Sequence, residues 1–222
     1  NKYDKADLLI EKLQAGQNIA VITDAGTPGI SDPGEVLAAK CYESGLQVVP
    51  IPGAAAVINA LIASGQPARR FCFEAFLPTE KDERKRVLGE LERETRTIVI
   101  YEAPHRLKKT LDELIHVFGG DRALTICKEL TKKHETFMQM TFAKAVEYYK
   151  ENDPRGEYVL VIHGKPYEEI RAEEVAVWEN ISMEDHIKKY MDEGLSKKDA
   201  VKKVAEDRGL PKREVYQYSI GL

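Results

Sequence analysis

Apolar residues recur along the chain in two rhythms. In residues 5–15, Leu8, Leu9 and Leu13 return at helical spacing and the pattern stops at Gly16, a residue suited to a helix C-terminus. Residues 19–23 form a compact apolar run, strand-like and too unbroken for a one-faced sheet, which predicts a strand covered on both sides. A helix over 35–44 closed by Gly45, a strand over 46–51 and a helix over 54–63 ending near Gly65 follow. This β-loop-α-β-α rhythm predicts a parallel, doubly wound sheet.

Beyond a connector at 66–70 the texture changes. Strands are predicted at 71–76, 97–101, 123–127, 135–140 and 156–163, with helices at 81–94, 104–117 and 142–149. The last two strands leave little room for a crossover helix, so they imply antiparallel pairing. Across residues 80–96 six Lys/Arg balance six Asp/Glu, the pattern of a solvated helix face with Val87, Leu88 and Leu91 as its apolar stripe. The last forty residues hold only helix signals: a helix over 183–192 before Gly194, a second capped by Ser196 and ended at Gly209, and a third started by Pro211. The resulting α/β organisation has an N-terminal subdomain at 1–68, a second at 69–165, a polar and acidic linker at 166–180 and a helix-turn-helix-like unit at 181–222.

Composition narrows the classes. The 222 residues suit one large domain or two modest ones, and 33 Lys+Arg against 37 Asp+Glu give a net charge of −4. A global basic field is excluded, so any nucleic-acid contact needs a local patch. No apolar run approaches the ~20 residues that span a bilayer, and no membrane partner is expected. Residues 1–20 lack the basic-then-apolar pattern of a leader. Cys41, Cys72 and Cys127 have neither CxxC spacing nor a histidine pattern, which predicts free thiols in a reducing cytoplasm and no metal site.

The densest chemical signal is residues 24–34, Asp-Ala-Gly-Thr-Pro-Gly-Ile-Ser-Asp-Pro-Gly, between a predicted strand and a helix. In open α/β sheets ligands bind outside the carboxyl ends of strands. Three glycines let the backbone approach a ligand, while Asp24, Thr27, Ser31 and Asp32 supply oxygens. The spacing matches neither a dinucleotide fingerprint nor a P-loop, and a tight capped turn would use the same residue types. Residues 50–56, Pro-Ile-Pro-Gly-Ala-Ala-Ala, repeat the theme at the next strand end, where small residues would bare helix amides or permit close packing.

The motifs D-A-G-T-P-G-I-S-D-P-G, I-P-G-A-A-A, F-E-A-F-L-P, I-Y-E-A-P-H-R-L and C-K-E-L-T-K-K-H-E together resemble the tetrapyrrole-methylase fold. Within it they resemble the bacterial ribosomal RNA small-subunit methyltransferase I branch, and the likeness extends through residues 195–216. The resemblance implies two α/β subdomains with a cofactor cleft between them, S-adenosylmethionine as methyl donor, and 2′-O-methylation of a cytidine ribose in 16S rRNA of the 30S subunit. It also implies a homodimer. By position it places the cofactor at Asp24, Ala25, Gly26, Thr27, Ile30, Ala55, Ala56, Glu102 and Leu130. Thr27 stands where porphyrin-type relatives carry Asp, which weakens the alternative of tetrapyrrole C-methylation. Relatives of this kind open with a strand and a P-x-P-I-G-N-L-like loop, so the sequence is expected to be a C-terminal portion of a longer protein. A non-catalytic rRNA-binding module is then a third reading.

A protonated ribose hydroxyl is a poor nucleophile, so a general base is expected among Asp24, Asp32, Glu102, His105, Lys128 and Glu129. Glu102 and Glu129 are favoured for substrate or proton handling and Lys128 for charge stabilisation. His105, directly after Pro104, reads better as a helix start. For RNA contact, Lys197, Lys198, Lys202, Lys203, Lys212 and Arg213 lie in a stretch, 197–213, with seven Lys/Arg and three acids. Tyr216 and Tyr218 follow as possible stacking platforms, while Arg69, Arg70 and Arg106 would extend a basic track.

Overall fold

A computed structural model describes residues 2–31 and 34–222, leaving out the side chains of residues 2–4. The chain divides into two compact units, Asn1–Gly164 and Lys165–Leu222.

The first unit opens with three helices, α1 (Lys2–Gln14), α2 (Glu35–Glu43) and α3 (Ala56–Ala63). Helices α1 and α2 pack on each other, burying Ala6, Ile10 and Cys41, with Lys40 paired to Asp7. The strands predicted at 19–23 and 46–51 do not form. Both segments are irregular, and Ile22 and Ile51 are 88% and 78% exposed. An apolar run becomes a strand only when a neighbour accepts its backbone hydrogen bonds, and neither segment finds a ladder partner among the described residues. The parallel, doubly wound sheet expected there is corrected accordingly.

The sheet lies further along the chain. Elements β1 (Phe71–Phe76), α4 (Lys81–Leu91), β2 (Thr97–Glu102), α5 (Pro104–Phe118), β3 (Ala123–Lys128), β4 (Thr136–Thr141), α6 (Phe142–Glu151) and β5 (Tyr158–Ile162) follow in order. The strand order is β1-β2-β5-β3-β4; β1 and β2 run parallel across α4, and the other neighbouring pairs are antiparallel. Because successive side chains alternate, the central strands feed two cores. Ile98, Ile100, Leu124, Ile126, Leu160 and Ile162 meet Leu107, Leu111 and Leu114 of α5 and Phe142 of α6 on one face. Val99, Cys127, Val159 and Val161 meet Val57, Ala60 and Leu61 of α3 on the other. Helix α4 stops at Leu91, short of the predicted 94, because Glu94 turns its carboxylate onto Arg96, taking the Arg96 backbone N–H at 2.7 Å.

The second unit is helical: α7 (Tyr167–Ala176), α8 (Met183–Asp192), α9 (Lys197–Arg208) and α10 (Lys212–Gln217). Residues 166–180, expected as a linker, instead hold α7, whose Glu173 pairs with Lys165 at 2.5 Å. Ser182 and Ser196 cap α8 and α9 as their side chains accept from Asp185 N and Asp199 N. Ile187, Ala200, Val201, Val204 and Val215 form a separate small core. Trp178 stacks on buried His186 at 3.8 Å, while Arg208 bonds His186 Nδ1 at 3.1 Å and the Ile181 carbonyl. Among the described residues no helix is long and apolar enough to cross a membrane.

Candidate functional site

The two glycine- and proline-rich loops meet in space. Thr27 N donates to Ala54 O at 2.9 Å, and Thr27 Oγ1 donates to the same oxygen at 3.1 Å. Gly26 has φ +73°, and a Cβ there would stand 2.8 Å from Ala54 O, so both its conformation and its contact require glycine. Asp24, Ala25 and Ile30 lie exposed along the rim, as does Ala56 at the first turn of α3. Asp32, a candidate base, lies outside the described residues.

Helix α3 is pinned to the sheet at both ends. Tyr101 Oη accepts from Val57 N at 2.9 Å, filling one of the amide groups that a helix start leaves open. At the other end Ser64 O accepts from Thr125 Oγ1 and from Gln139 Nε2, both at 2.9 Å. Ala55 and Leu130 both pack against the apolar cluster that α3 shares with the sheet. The structure thus brings together the 24–31 loop, Ala54–Ala56, Tyr101 and Leu130 at one edge. None of Tyr101, Ser64, Thr125 and Gln139 stood out in the sequence, since a lone hydroxyl or amide on a strand carries no local pattern.

Glu102 is placed elsewhere. As Tyr101's neighbour on β2, its side chain takes the opposite face, towards α5, and the residue is 1% exposed. Its Oε2 accepts from Thr110 Oγ1 at 2.5 Å, its Oε1 accepts from Ala103 N at 2.9 Å, and Arg106 Nε lies 3.4 Å away. With both oxygens engaged and the α3 side behind it, the carboxylate holds the start of α5. This sets Glu102 on the face of β2 opposite Tyr101 and the α3 start, apart from the loops with which it was expected to share the cofactor. His105 is exposed in the first turn of α5.

Lys128 is half-buried and shares by alternation the face of Leu124 and Ile126. Glu129 sits at φ +52°, in the left-handed region, and its Oε1 accepts from Glu157 N at 2.8 Å and from Lys132 Nζ at 3.2 Å. The Glu157 backbone N–H, and after it Lys132, hold the Glu129 carboxyl below its ordinary range. A depressed carboxyl is a weak base, so this geometry suits orientation better than proton abstraction. Burial pushes the Cys127 thiol up to about 12, which leaves it protonated and unreactive at neutral pH.

In the helical unit, the cations expected to meet RNA have unequal freedom. Lys197 Nζ donates to Leu222 O at 3.0 Å, so it is engaged within the helical unit. Lys202 and Lys203 share α9 with Glu206 and Asp207, at 3.8 and 3.3 Å. Lys198, Lys212 and Arg213 are exposed with no carboxylate partner among the described residues. Tyr216 and Tyr218 are also exposed.

Residues 2–146 match the family described as tetrapyrrole (corrin/porphyrin) methylases. The chain is 46% identical over 222 residues to the ribosomal RNA small subunit methyltransferase I of Synechocystis sp., covering 100% of this chain and 78% of that protein. It is 43% identical over 216 residues to the protein of the same name from Bacillus subtilis, covering 97% and 73%. Among solved structures the methyltransferase CobJ aligns with a TM-score of 0.57 at 18% identity, over 74% of this chain and 72% of that one. Uroporphyrin-III C-methyl transferase from Thermus thermophilus, complexed with S-adenyl homocysteine, aligns at 0.51 and 17% identity, over 73% and 74%.

Proposed function

Because the chain belongs to the tetrapyrrole methylase family, and within it to the ribosomal RNA small subunit methyltransferase I group, we propose that it methylates small-subunit rRNA from S-adenosylmethionine, at the 2′-hydroxyl of a cytidine ribose in 16S rRNA. The observation that carries this reading is the locked pair of loops, Gly26–Thr27 against Ala54, at the start of α3. Their fit to the cofactor rests on the absence of bulk: exposed Ala25 and Ala56 and half-buried Ala55 leave backbone groups open along the rim. Asp24, Ala25, Gly26, Thr27, Ile30, Ala55, Ala56 and Leu130 are the residues that would hold the donor. When bound, S-adenosylmethionine supplies an electrophilic methyl group on a sulfonium.

The chain's own work is alignment and proton transfer. Holding a ribose 2′-oxygen in line is a positioning effect that contributes several kcal/mol without a metal. We assign the proton of that hydroxyl to the Asp24 carboxylate, exposed on the loop and clear of the ion pairs that occupy Glu102 and Glu129. Lys128 and Glu129 orient the RNA, and Lys198, Lys202, Lys203, Lys212 and Arg213 supply the local positive field. The same reading places the protein in the cytoplasm, where its free thiols stay reduced, and pairs it as a homodimer, with sedimentation as the test.

Calorimetry with S-adenosylmethionine, followed by methyl transfer to 30S subunits lacking the modification, tests the whole. Binding with transfer is expected; cofactor binding without transfer would leave an RNA-docking module. Asp24→Asn should lower kcat about 10²–10⁴-fold with the fold intact, and an unchanged rate removes Asp24 as the base.

A further inference from the structure

On the face of the sheet opposite α3, the carboxyl ends of β1 and β2 open onto a cavity of about 130 Å³ lined by Pro78, Thr79, Arg84, Arg106, Lys109 and Thr110. Cavities that take drug-sized ligands run to about 300–1,000 Å³, so this one suits a single small group. Two arginines, a lysine and two threonines stand among its lining residues. Arg84 spends three of its five N–H groups, on Glu113 at 2.6 Å, Pro78 O at 3.2 Å and Thr110 Oγ1 at 2.9 Å, and two remain. Arg106 bonds Leu77 O at 2.9 Å and faces Glu102, likewise leaving N–H groups over. The Thr110 hydroxyl gives its hydrogen to Glu102. Lys109 is 81% exposed at its side chain and pairs with Glu113 at the long distance of 3.8 Å, a contact that holds it weakly. Three cations against Glu102 and Glu113 leave a net positive charge, and the arginines are fixed on backbone carbonyls before any ligand arrives.

We infer that this cavity is a phosphate subsite, and that it holds a backbone phosphate of the RNA substrate. Guanidinium forks match phosphate oxygens in geometry as well as charge. The assignment to RNA rests on the methyltransferase reading and on one further fact. Tyr101, which fixes the start of α3, and Glu102, which backs this cavity, are adjacent residues on opposite faces of one strand end. A strand of RNA crossing that edge presents a ribose on one face and a flanking phosphate on the other.

The test uses the full chain and Lys109→Gln. Thermal midpoints are measured in inorganic phosphate and in chloride at matched ionic strength, and a labelled single-stranded RNA is titrated at several salt concentrations. Phosphate at about ten times its dissociation constant should raise the wild-type midpoint by about 3 °C, with most of that rise lost in Lys109→Gln. RNA affinity should fall several-fold whatever the sequence, and its salt slope by about 0.7, the share of one phosphate contact on a single strand. An equal midpoint response in both proteins overturns the subsite. A response that differs while the RNA slope stays constant assigns the cavity to free phosphate and overturns the RNA part. Wild-type protein that binds no RNA sinks the functional reading, while the midpoint still decides the subsite.

Discussion

Residues 19–23, Ile-Ala-Val-Ile-Thr, and residues 97–101, Thr-Ile-Val-Ile-Tyr, are nearly the same word, yet they meet opposite fates. The second becomes all but the last residue of β2, where Ile98, Val99 and Ile100 are 0% exposed and both neighbours supply ladder hydrogen bonds. The first stays irregular, with Ile22 left in the open. Composition states what a segment would gain from burial; a strand also needs edges to pair with and two layers to cover it. In β2 those come from β1, β5, α3 and α5, and the apolar run is rewarded on both faces.

The contrast is sharpest in the core. Ile100→Ala should cost about 2–5 kcal/mol, because it opens a cavity between the sheet and α5, whereas Ile22→Ala should stay within about 0.5 kcal/mol. Urea denaturation of the two variants measures this directly, and equal losses would mean that residues 19–23 are buried in solution. A smaller effect is expected where the N-terminal loops lock together. Gly26→Ala combines a left-handed φ with a clash at Ala54 O and should cost about 1–3 kcal/mol locally, read as faster proteolysis of the loops and weaker S-adenosylmethionine binding. If cofactor affinity survives that change, the loops are not the binding edge.

The smallest effect concerns the Glu129 turn at the far end of β3. Its carboxyl is held low by the Glu157 N–H and by Lys132, so the stabilisation is present above the ordinary value of 4.5 and is lost as pH falls through the depressed folded-state value. The Glu157 amide resonance should therefore titrate with a midpoint below 4.5, and a midpoint at or above that value would show the hydrogen bond to be absent.

Much of the sheet region was legible residue by residue, for physical reasons. Strands flanked by Gly, Pro and cap residues announce their ends, and in α5 the residues Leu107, Leu111, Leu114 and Phe118 mark a buried stripe through helical spacing alone. The likeness of the 24–34 and 51–56 motifs to one family was equally readable. What could not be read was direction. Tyr101 and Glu102 are neighbours in one motif, but β-sheet alternation sends the first to α3 and the second to α5, where it bonds Thr110 and faces Arg106.

The sequence by itself determined the family, the helices other than α7 and the central strands, because local periodicity, caps and turn residues act over a few positions. Tertiary structure alone decided which apolar runs pair, which face each polar side chain takes and which cations stay free. Those outcomes depend on partners far along the chain: Val57 with Tyr101, Ser64 with Thr125, Arg84 with Glu113. No local pattern encodes a partner that only folding brings within hydrogen-bond reach.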